Sequence, residues 1–352
     1  MWTLVTSSAR SAPERAERAE QEGWDGVGVT DSQSLAGDAW VALTAAAART
    51  TAIKLGTAVT NPVTRHPAIT AAAAASVAVI AGERVAVGIG RGDSALAHLG
   101  RAPVPVDVLE RYVRALRTYL AGDEVPFDDL GFHEAMAPSA EVLGLAGAPI
   151  GSRLTWRQAG DPSVPVEVAA SGPKVIAAAA RSADRVLLAV GADVTRLRWG
   201  IDVARQACAD AGRDPSSLRI GAFLNVVAHP DVAVARRLAR GSLTSVARFS
   251  VMHGEVRGPV TDDQRAVFGA VHRAYDANRH TQAGTAQSEV MSDEFVDGYA
   301  VVGPAGACVD RLEEIAELGV DKVVVIGVSP GSDREDARVA DETMAAGVLA
   351  AR

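Results

Sequence analysis

Short β-branched apolar runs alternate along the chain with Ala-, Leu-, Arg- and Glu-rich segments whose apolar residues repeat at helical spacing. The runs predict eight strands, at residues 2–6, 26–30, 53–59, 84–89, 165–170, 185–190, 218–228 and 322–327. Their nearly continuous apolar character is typical of parallel strands that are covered on both faces. The intervening segments predict helices at residues 13–22, 38–50, 68–81, 173–182, 195–211, 232–248, 305–318 and 333–349.

Eight strands that are each followed by a helix predict an α/β fold, a (β/α)8 TIM barrel formed as one domain by residues 1–352. A doubly wound open sheet is the alternative, but that fold usually carries a glycine-rich first turn. Here the first strand leads into Thr6-Ser7-Ser8-Ala9-Arg10, without a glycine. Two segments interrupt the repeat, at about residues 91–164 after strand 4 and 249–298 after strand 7. Long insertions of this kind usually form lids or partner surfaces.

Composition excludes several classes of protein. The chain of 352 residues has a formal charge of −8, and 48% of its residues are hydrophobic, which is unlike a disordered chain. No basic cluster suggests a nucleic-acid partner, and no apolar stretch is long enough to cross a membrane. Two cysteines, Cys208 and Cys308, form neither a disulfide framework nor a metal-binding pair. We therefore expect a cytoplasmic enzyme without a metal site.

In a barrel of this type the active site lies at the carboxyl ends of the strands. Asp31 follows strand 2 and either accepts a hydrogen bond from a ring or substrate, or caps the next turn. Asn61 follows strand 3, and its amide matches a pyrimidine-like ring edge or simply forms a turn before Pro62. His66 is either an acid–base group or a solvated loop histidine. These three residues, Asp31, Asn61 and His66, are the candidate catalytic groups.

The turn after strand 5 reads Ser171-Gly172-Pro173-Lys174. Proline is favoured at the first position of a helix, so free N–H groups would point outward beside the positive end of the helix dipole. The turn is therefore a candidate phosphate site, or else an ordinary capped helix. After strand 4, Arg91 and Asp93 can pair with each other, in which case neither needs a catalytic role. Trp156 in the first insertion is the indole most expected to face a ligand, and His133 and Arg91 are candidates for the open side of a bound ring.

Five blocks of residues lie at these strand ends: 23–31, 55–67, 87–93, 166–174 and 302–303. Together they resemble the bacterial luciferase-like superfamily of flavin and deazaflavin oxidoreductases. Within it, the closest resemblance is to the branch of the coenzyme F420-dependent methylenetetrahydromethanopterin reductases. The block Asn61-Pro62 with Arg65-His66-Pro67 is its most specific element. The resemblance implies a (β/α)8 barrel, usually a homodimer or higher homo-oligomer, with a flavin-like ring over the strand-end opening.

The resemblance also implies how that cofactor is bound. A non-prolyl cis peptide near Ala58–Val59 would support the back of the ring, and the turn after strand 5 would grip the phosphate. The implied cofactor-binding residues are Thr57, Ala58, Val59, Thr60, Asn61, Ser171, Gly172, Pro173, Lys174, Val190 and Gly191. Superfamily members that act on sugar phosphates or secondary alcohols carry a histidine where this chain has Ser32, and some carry a glutamate at Arg91.

Three functions follow as hypotheses. The first is an oxidoreductase that transfers a hydride between F420 and a small organic substrate. The second is a monooxygenase that uses reduced FMN and oxygen. The third is a barrel that binds flavin without catalysis.

Overall fold

The computed structural model describes residues 1–131, 137–252 and 254–351. His133 and His253 lie outside these stretches. The strands within them are β1 (Trp2–Val5), β2 (Gly26–Val29), β3 (Lys54–Thr57), β4 (Val85–Ile89), β5 (Val125–Pro126), β6 (Gly151–Ser152), β7 (Val166–Ala170), β8 (Arg185–Leu188), β9 (Arg219–Ala228), β10 (Val301–Gly303) and β11 (Lys322–Ile326).

Eight of these strands close into a parallel barrel, which confirms the predicted fold. Around the ring their order is β1, β2, β3, β4, β7, β8, β9 and β11, and β11 pairs with β1. The long strand β9 extends beyond the ring, and its second half pairs with β10. The sequence pattern marked the β10 segment only as a short apolar piece. Strands β5 and β6 form a small antiparallel pair within the first insertion.

Helices surround the barrel in the expected alternation. They are α1 (Ala12–Gln21), α2 (Ala39–Arg49), α3 (Pro67–Ala81), α4 (Ser94–Ala97), α5 (Val106–Ala121), α6 (Pro173–Ser182), α7 (Val194–Asp210), α8 (Val232–Ser250), α9 (Asp262–Ala274), α10 (Ala286–Glu289), α11 (Asp293–Tyr299), α12 (Ala305–Glu317) and α13 (Arg334–Thr343). After α13 the chain continues as a π-helical segment, Met344–Leu349. In the described stretches, none of these helices is long and apolar enough to span a membrane.

The amino ends of the strands are filled by an aromatic ring and buried ions. Trp2 packs where Gly26 and Gly56 leave room, since a Cβ on Gly26 would lie 2.3 Å from the indole. Lys322 Nζ lies 3.2 Å from the centroid of the Trp2 ring and 2.6 Å from a Glu167 carboxylate oxygen. Burial lowers the pKa of Lys322 to about 8. Because this end is filled, a ligand has to enter from the carboxyl ends of the strands.

The second insertion has a hydrophobic core of its own. Phe268 lies edge-on to Phe295 and to Tyr299, with ring centroids 5.3 Å apart in both pairs. The fully buried Arg196 joins this unit to the barrel, because its guanidinium donates to the carbonyl oxygens of Pro259 and Arg257 at 2.9 and 3.1 Å. The insertion is thereby held over the strand ends.

Candidate functional site

A cavity of about 1020 Å³ opens at the carboxyl ends of the barrel strands. All eight barrel strands contribute to its wall, with residues at or after their carboxyl ends: Thr6, Asp31, Ala58, Gly90, Ser171, Ala189, Ala228 and Gly327. The same volume includes a groove along α1 and α13, which Arg18 and Asp341 line, so only part of it lies over the strand ends.

Asp31 is buried on the wall, with one carboxylate oxygen satisfied and the other not. Thr60 Oγ1 donates to Asp31 Oδ2 at 2.6 Å, and an Arg65 guanidinium nitrogen lies 3.4 Å from the same oxygen. Arg65 also pairs with Asp38. Asp31 Oδ1 has no hydrogen-bond partner in the described part of the chain. Oδ2 therefore anchors the carboxylate to its neighbours, and Oδ1 is an acceptor without a partner in the described stretches.

Asn61, which is 1% exposed, forms the turn that was one of its two predicted roles. Its Oδ1 accepts from the backbone N–H groups of Val63 and Thr64, at 3.0 and 3.2 Å, and so forms the turn before α3. Its Nδ2 has no acceptor among the described residues. Asn61 and Asp31 both contribute to the cavity wall, and each keeps one buried polar atom without a partner in the described stretches.

The peptide bond between Ala58 and Val59 is cis, at the position that the resemblance implies. Ala58, Val59 and Thr60 lie on the cavity wall. Thr57 does not, because its hydroxyl donates to the carbonyl oxygen of Gly88 at 2.6 Å and so faces β4. The wall here consists of small side chains and backbone.

His66 has a local structural role in this fold. Its Nδ1 accepts from the backbone N–H of Ala68 at 3.2 Å and caps α3. Burial lowers the pKa of the imidazole, and the backbone of Leu130 is a further hydrogen-bond partner. His66 is not among the residues of the cavity wall. The geometry therefore supports helix capping and gives no support to an acid–base role.

The turn from Ser171 to Lys174 has the geometry expected of an anion site. Gly172 is the N-cap of α6 and Pro173 follows it, and no side chain caps the helix. A Cβ on Gly172 would meet nothing within 4 Å, so the approach to the helix terminus is open. Ser171 and Gly172 lie on the wall, whereas Pro173 and the exposed Lys174 do not.

Val190 and Gly191 are packed away from the cavity. Gly191 has a φ of +81°, and a Cβ there would lie 2.5 Å from the Tyr299 ring. The carbonyl oxygen of Val190 accepts from Arg196 Nε at 3.2 Å. Neither residue is part of the wall, so their predicted cofactor contact has no support in the geometry.

Residues 2–322 match the family described as luciferase-like monooxygenase. The chain belongs to the luciferase-like family. This result confirms the resemblance inferred from the strand-end motifs.

Two curated relatives are 5,10-methylenetetrahydromethanopterin reductases. The protein from Methanolobus tindarius is 28% identical over 324 residues, covering 92% of this chain and 91% of the relative. The protein from Archaeoglobus fulgidus is 27% identical over 322 residues, covering 90% and 89%.

Solved structures of similar fold include two F420-dependent enzymes and a monooxygenase. The coenzyme F420-dependent tetrahydromethanopterin reductase from Methanopyrus kandleri has a TM-score of 0.70 and 20% identity, covering 100% of this chain and 98% of its own. An F420-dependent secondary alcohol dehydrogenase in complex with an F420–acetone adduct also has a TM-score of 0.70, at 19% identity and the same coverage. A monooxygenase from Streptomyces bottropensis has a TM-score of 0.64 and 20% identity, covering 100% and 99%. At these identities the likeness establishes the barrel fold.

Sequence reasoning missed part of the wall of this luciferase-like cavity. Asp93 pairs with Arg248 of α8 and not with Arg91, which corrects the expected Arg91–Asp93 pair. The Arg248 guanidinium lies 4.5 Å from the centroid of the Tyr275 ring, and the Tyr275 hydroxyl is hydrogen-bonded to His280 Nδ1. Asp93 and His280 lie on the wall. Only the concentration of histidines in the second insertion hinted at this cluster.

The aromatic side chains of the wall also differ from expectation. Trp156 is 46% exposed and is not part of the wall. Phe223 of β9 and Phe249 of α8 line the cavity. Burial lowers the pKa of His280, which favours a neutral imidazole at the rim. No cluster of potential metal ligands occurs in the part of the chain that the structure describes.

Proposed function

We propose that this luciferase-like protein is an oxidoreductase that transfers a hydride between coenzyme F420 and a small organic substrate. One observation carries the proposal. At the ends of β2 and β3, Asp31 and Asn61 contribute to the wall of a large cavity, and each has one buried polar atom, Asp31 Oδ1 and Asn61 Nδ2, without a partner among the described residues. Unsatisfied buried polar groups cost free energy, so a ligand with the matching donor and acceptor is favoured there.

The pyrimidine edge of a deazaflavin presents carbonyl and N–H groups of that kind. When bound, F420 supplies the hydride chemistry, and the chain contributes position and a dry site. Asn61 would donate to a ring carbonyl, and Asp31 would accept from a ring N–H. The small residues Ala58 and Gly90 leave room for a flat ring against the strand ends.

The amino terminus of α6 supports a second contact to the cofactor. Its uncapped N–H groups lie beside the open space at Gly172, and the positive end of a helix dipole favours a phosphate. Ring and phosphate would then be bound by separate strand ends. The reductases of Methanolobus and Archaeoglobus match this chain over about nine-tenths of its length, which supports F420 over FMN.

Gly172→Leu tests the placement of the phosphate. The φ of −107° at Gly172 is accessible to any residue and no neighbour obstructs a side chain, so the fold should tolerate the change. We expect weaker F420 binding by about tenfold, the loss of about one charge-assisted hydrogen bond. Gly306→Leu, in the first turn of α12 and also open to solvent, is the control and should bind F420 like the wild type. Unchanged F420 affinity in Gly172→Leu would show that the phosphate binds elsewhere.

The homodimer is also part of the proposal. Helices α2 and α3 expose apolar side chains on the outside of the barrel: Val41 is 55% exposed, Ile69 57%, Val79 63% and Ile80 52%. Helix α3 carries no charged residue from Pro67 to Ala81, which is unusual for a helix facing water. A second copy of the chain would cover this face. Light scattering should give twice the chain mass, and Val79→Glu with Ile80→Lys should reduce the measured mass to that of one chain.

The cytoplasmic location stays a prediction from cysteine usage.

A further inference from the structure

Arg91 extends a cation into the cavity from the segment after β4. Its backbone and side chain are both attached to Val104 in the first insertion. The Arg91 Nε donates to the Val104 carbonyl oxygen at 2.6 Å, and the Val104 N–H donates to the Arg91 carbonyl oxygen at 3.0 Å. These bonds fix the orientation of the guanidinium. Within the described stretches its two terminal amino groups have no acceptor.

The acidic groups at the strand ends leave Arg91 unneutralised. Asp31 is paired with Arg65, and Asp93 is paired with Arg248. Burial lowers the pKa of the Arg91 guanidinium, and no neighbouring carboxylate opposes that effect in the part of the chain described. A half-buried cation without a counter-ion is costly, and a bound anion offsets the cost.

We infer that Arg91 binds a carboxylate of the substrate, which places the substrate among small organic acids. The inference rests on the proposed function, since it names the substrate class of the same cavity. A guanidinium with two free amino groups matches the two oxygens of a carboxylate in a bidentate pair. Apolar residues of the same cavity wall, among them Val59, Ala95 and Pro103, suit the body of such an acid.

The cofactor phosphate is the other anion that could reach Arg91. Two observations favour the substrate. The guanidinium is held by the first insertion, and the proposed phosphate site at the uncapped amino terminus of α6 is a separate place for the cofactor anion. A single cation also matches a monoanion better than a phosphate.

The test compares acids with their neutral amides. Benzoate and benzamide, and cinnamate and cinnamamide, are titrated by calorimetry into the enzyme with and without F420. The wild type should prefer each acid by about tenfold or more, the effect of a charge-assisted bidentate pair. Arg91→Gln should abolish the preference, and Arg91→Lys should keep part of it. Arg101→Gln, an exposed arginine on the same segment, is the control and should behave as the wild type.

Equal affinity for acid and amide in the wild type, or a preference that survives in Arg91→Gln, would overturn the inference. If the preference survives in Arg91→Gln and F420 affinity is lost, Arg91 binds the cofactor and not the substrate. A thermal melt confirms that each variant is folded, and Arg91→Lys repeats the comparison if the glutamine variant is not. If the wild type fails to bind F420 but shows an Arg91-dependent preference for acids, the proposed cofactor is wrong and the carboxylate site stands.

Discussion

Asp31 illustrates how one buried side chain can have a structural and a binding role at once. Its Oδ2 accepts hydrogen bonds from Thr60 and Arg65, and its Oδ1 has no partner among the residues that the structure describes. A structural carboxylate would normally satisfy both oxygens, because an unpaired buried acceptor costs free energy. The unpaired Oδ1 of a residue that lines the cavity is therefore the feature that points to binding in addition to anchoring.

Asp31→Asn tests this distinction. The variant keeps the size of the side chain but removes its charge and one acceptor oxygen. We expect the Kd for F420 to rise about tenfold. Asp38→Asn is the matched control, because it weakens the other ion pair of Arg65 while an asparagine still caps α2. If both variants bind F420 equally well, Asp31 only anchors Arg65.

Residue roles were the part of the site least accessible from sequence. The turn at Asn61 and the helix cap at Gly172 follow from local chemistry and were predicted. The pairing of Asp93 with Arg248 joins residues 155 positions apart, and no local pattern encodes it. The inward packing of Gly191 depends likewise on Tyr299 in the second insertion.

Helix α3 depends on the residue that precedes it. His66 caps the helix through Nδ1, so His66→Ala should lower the free energy of unfolding by about 0.5–2 kcal/mol, and His66→Asn should restore most of it. Urea denaturation of the three proteins measures the difference. The kcat of the two variants should remain that of the wild type, and a large fall in kcat for His66→Asn would instead indicate acid–base catalysis.

The same cap predicts a pH dependence. Burial lowers the pKa of His66, so the folded protein binds fewer protons than the unfolded chain between that pKa and about 6.5. Stability from this group is present above about pH 6.5 and is lost as the pH falls toward the folded pKa. The difference in free energy of unfolding between the wild type and His66→Asn should therefore change in mildly acidic buffer. A difference in free energy of unfolding that stays constant down to pH 5 would contradict this role.

Helix α8 places the second insertion over the cavity. Gly241 sits against the backbone of that insertion, and a Cβ there would lie 2.6 Å from the Gln282 carbonyl oxygen. Gly241→Ala should therefore destabilise the protein by about 1–3 kcal/mol. Gly298→Ala in α11 has open space and should be neutral or stabilising. Equal stability of the two variants, measured by urea denaturation, would show that the insertion does not pack closely on α8.

At the scale of the whole molecule, the barrel was predictable because its signal is repeated. Eight apolar runs that alternate with helical segments identify the fold even when single boundaries shift by a few residues and two insertions interrupt the repeat. The β10 segment escaped prediction because it pairs only with the extension of β9. The insertions obey no repeat, so the wall that they contribute could not be derived from sequence periodicity.

The central claim is that the cavity binds F420 and uses it for hydride transfer. The most direct measurement is a fluorescence titration of the purified protein with F420 and with FMN, in oxidised and reduced forms, with oxygen consumption followed in parallel. We predict saturable binding of F420, weak or no binding of FMN, and no oxygen consumption. Saturable FMN binding with oxygen consumption, and none of F420, would contradict the claim and favour the monooxygenase, and binding without any redox turnover would favour the non-catalytic barrel.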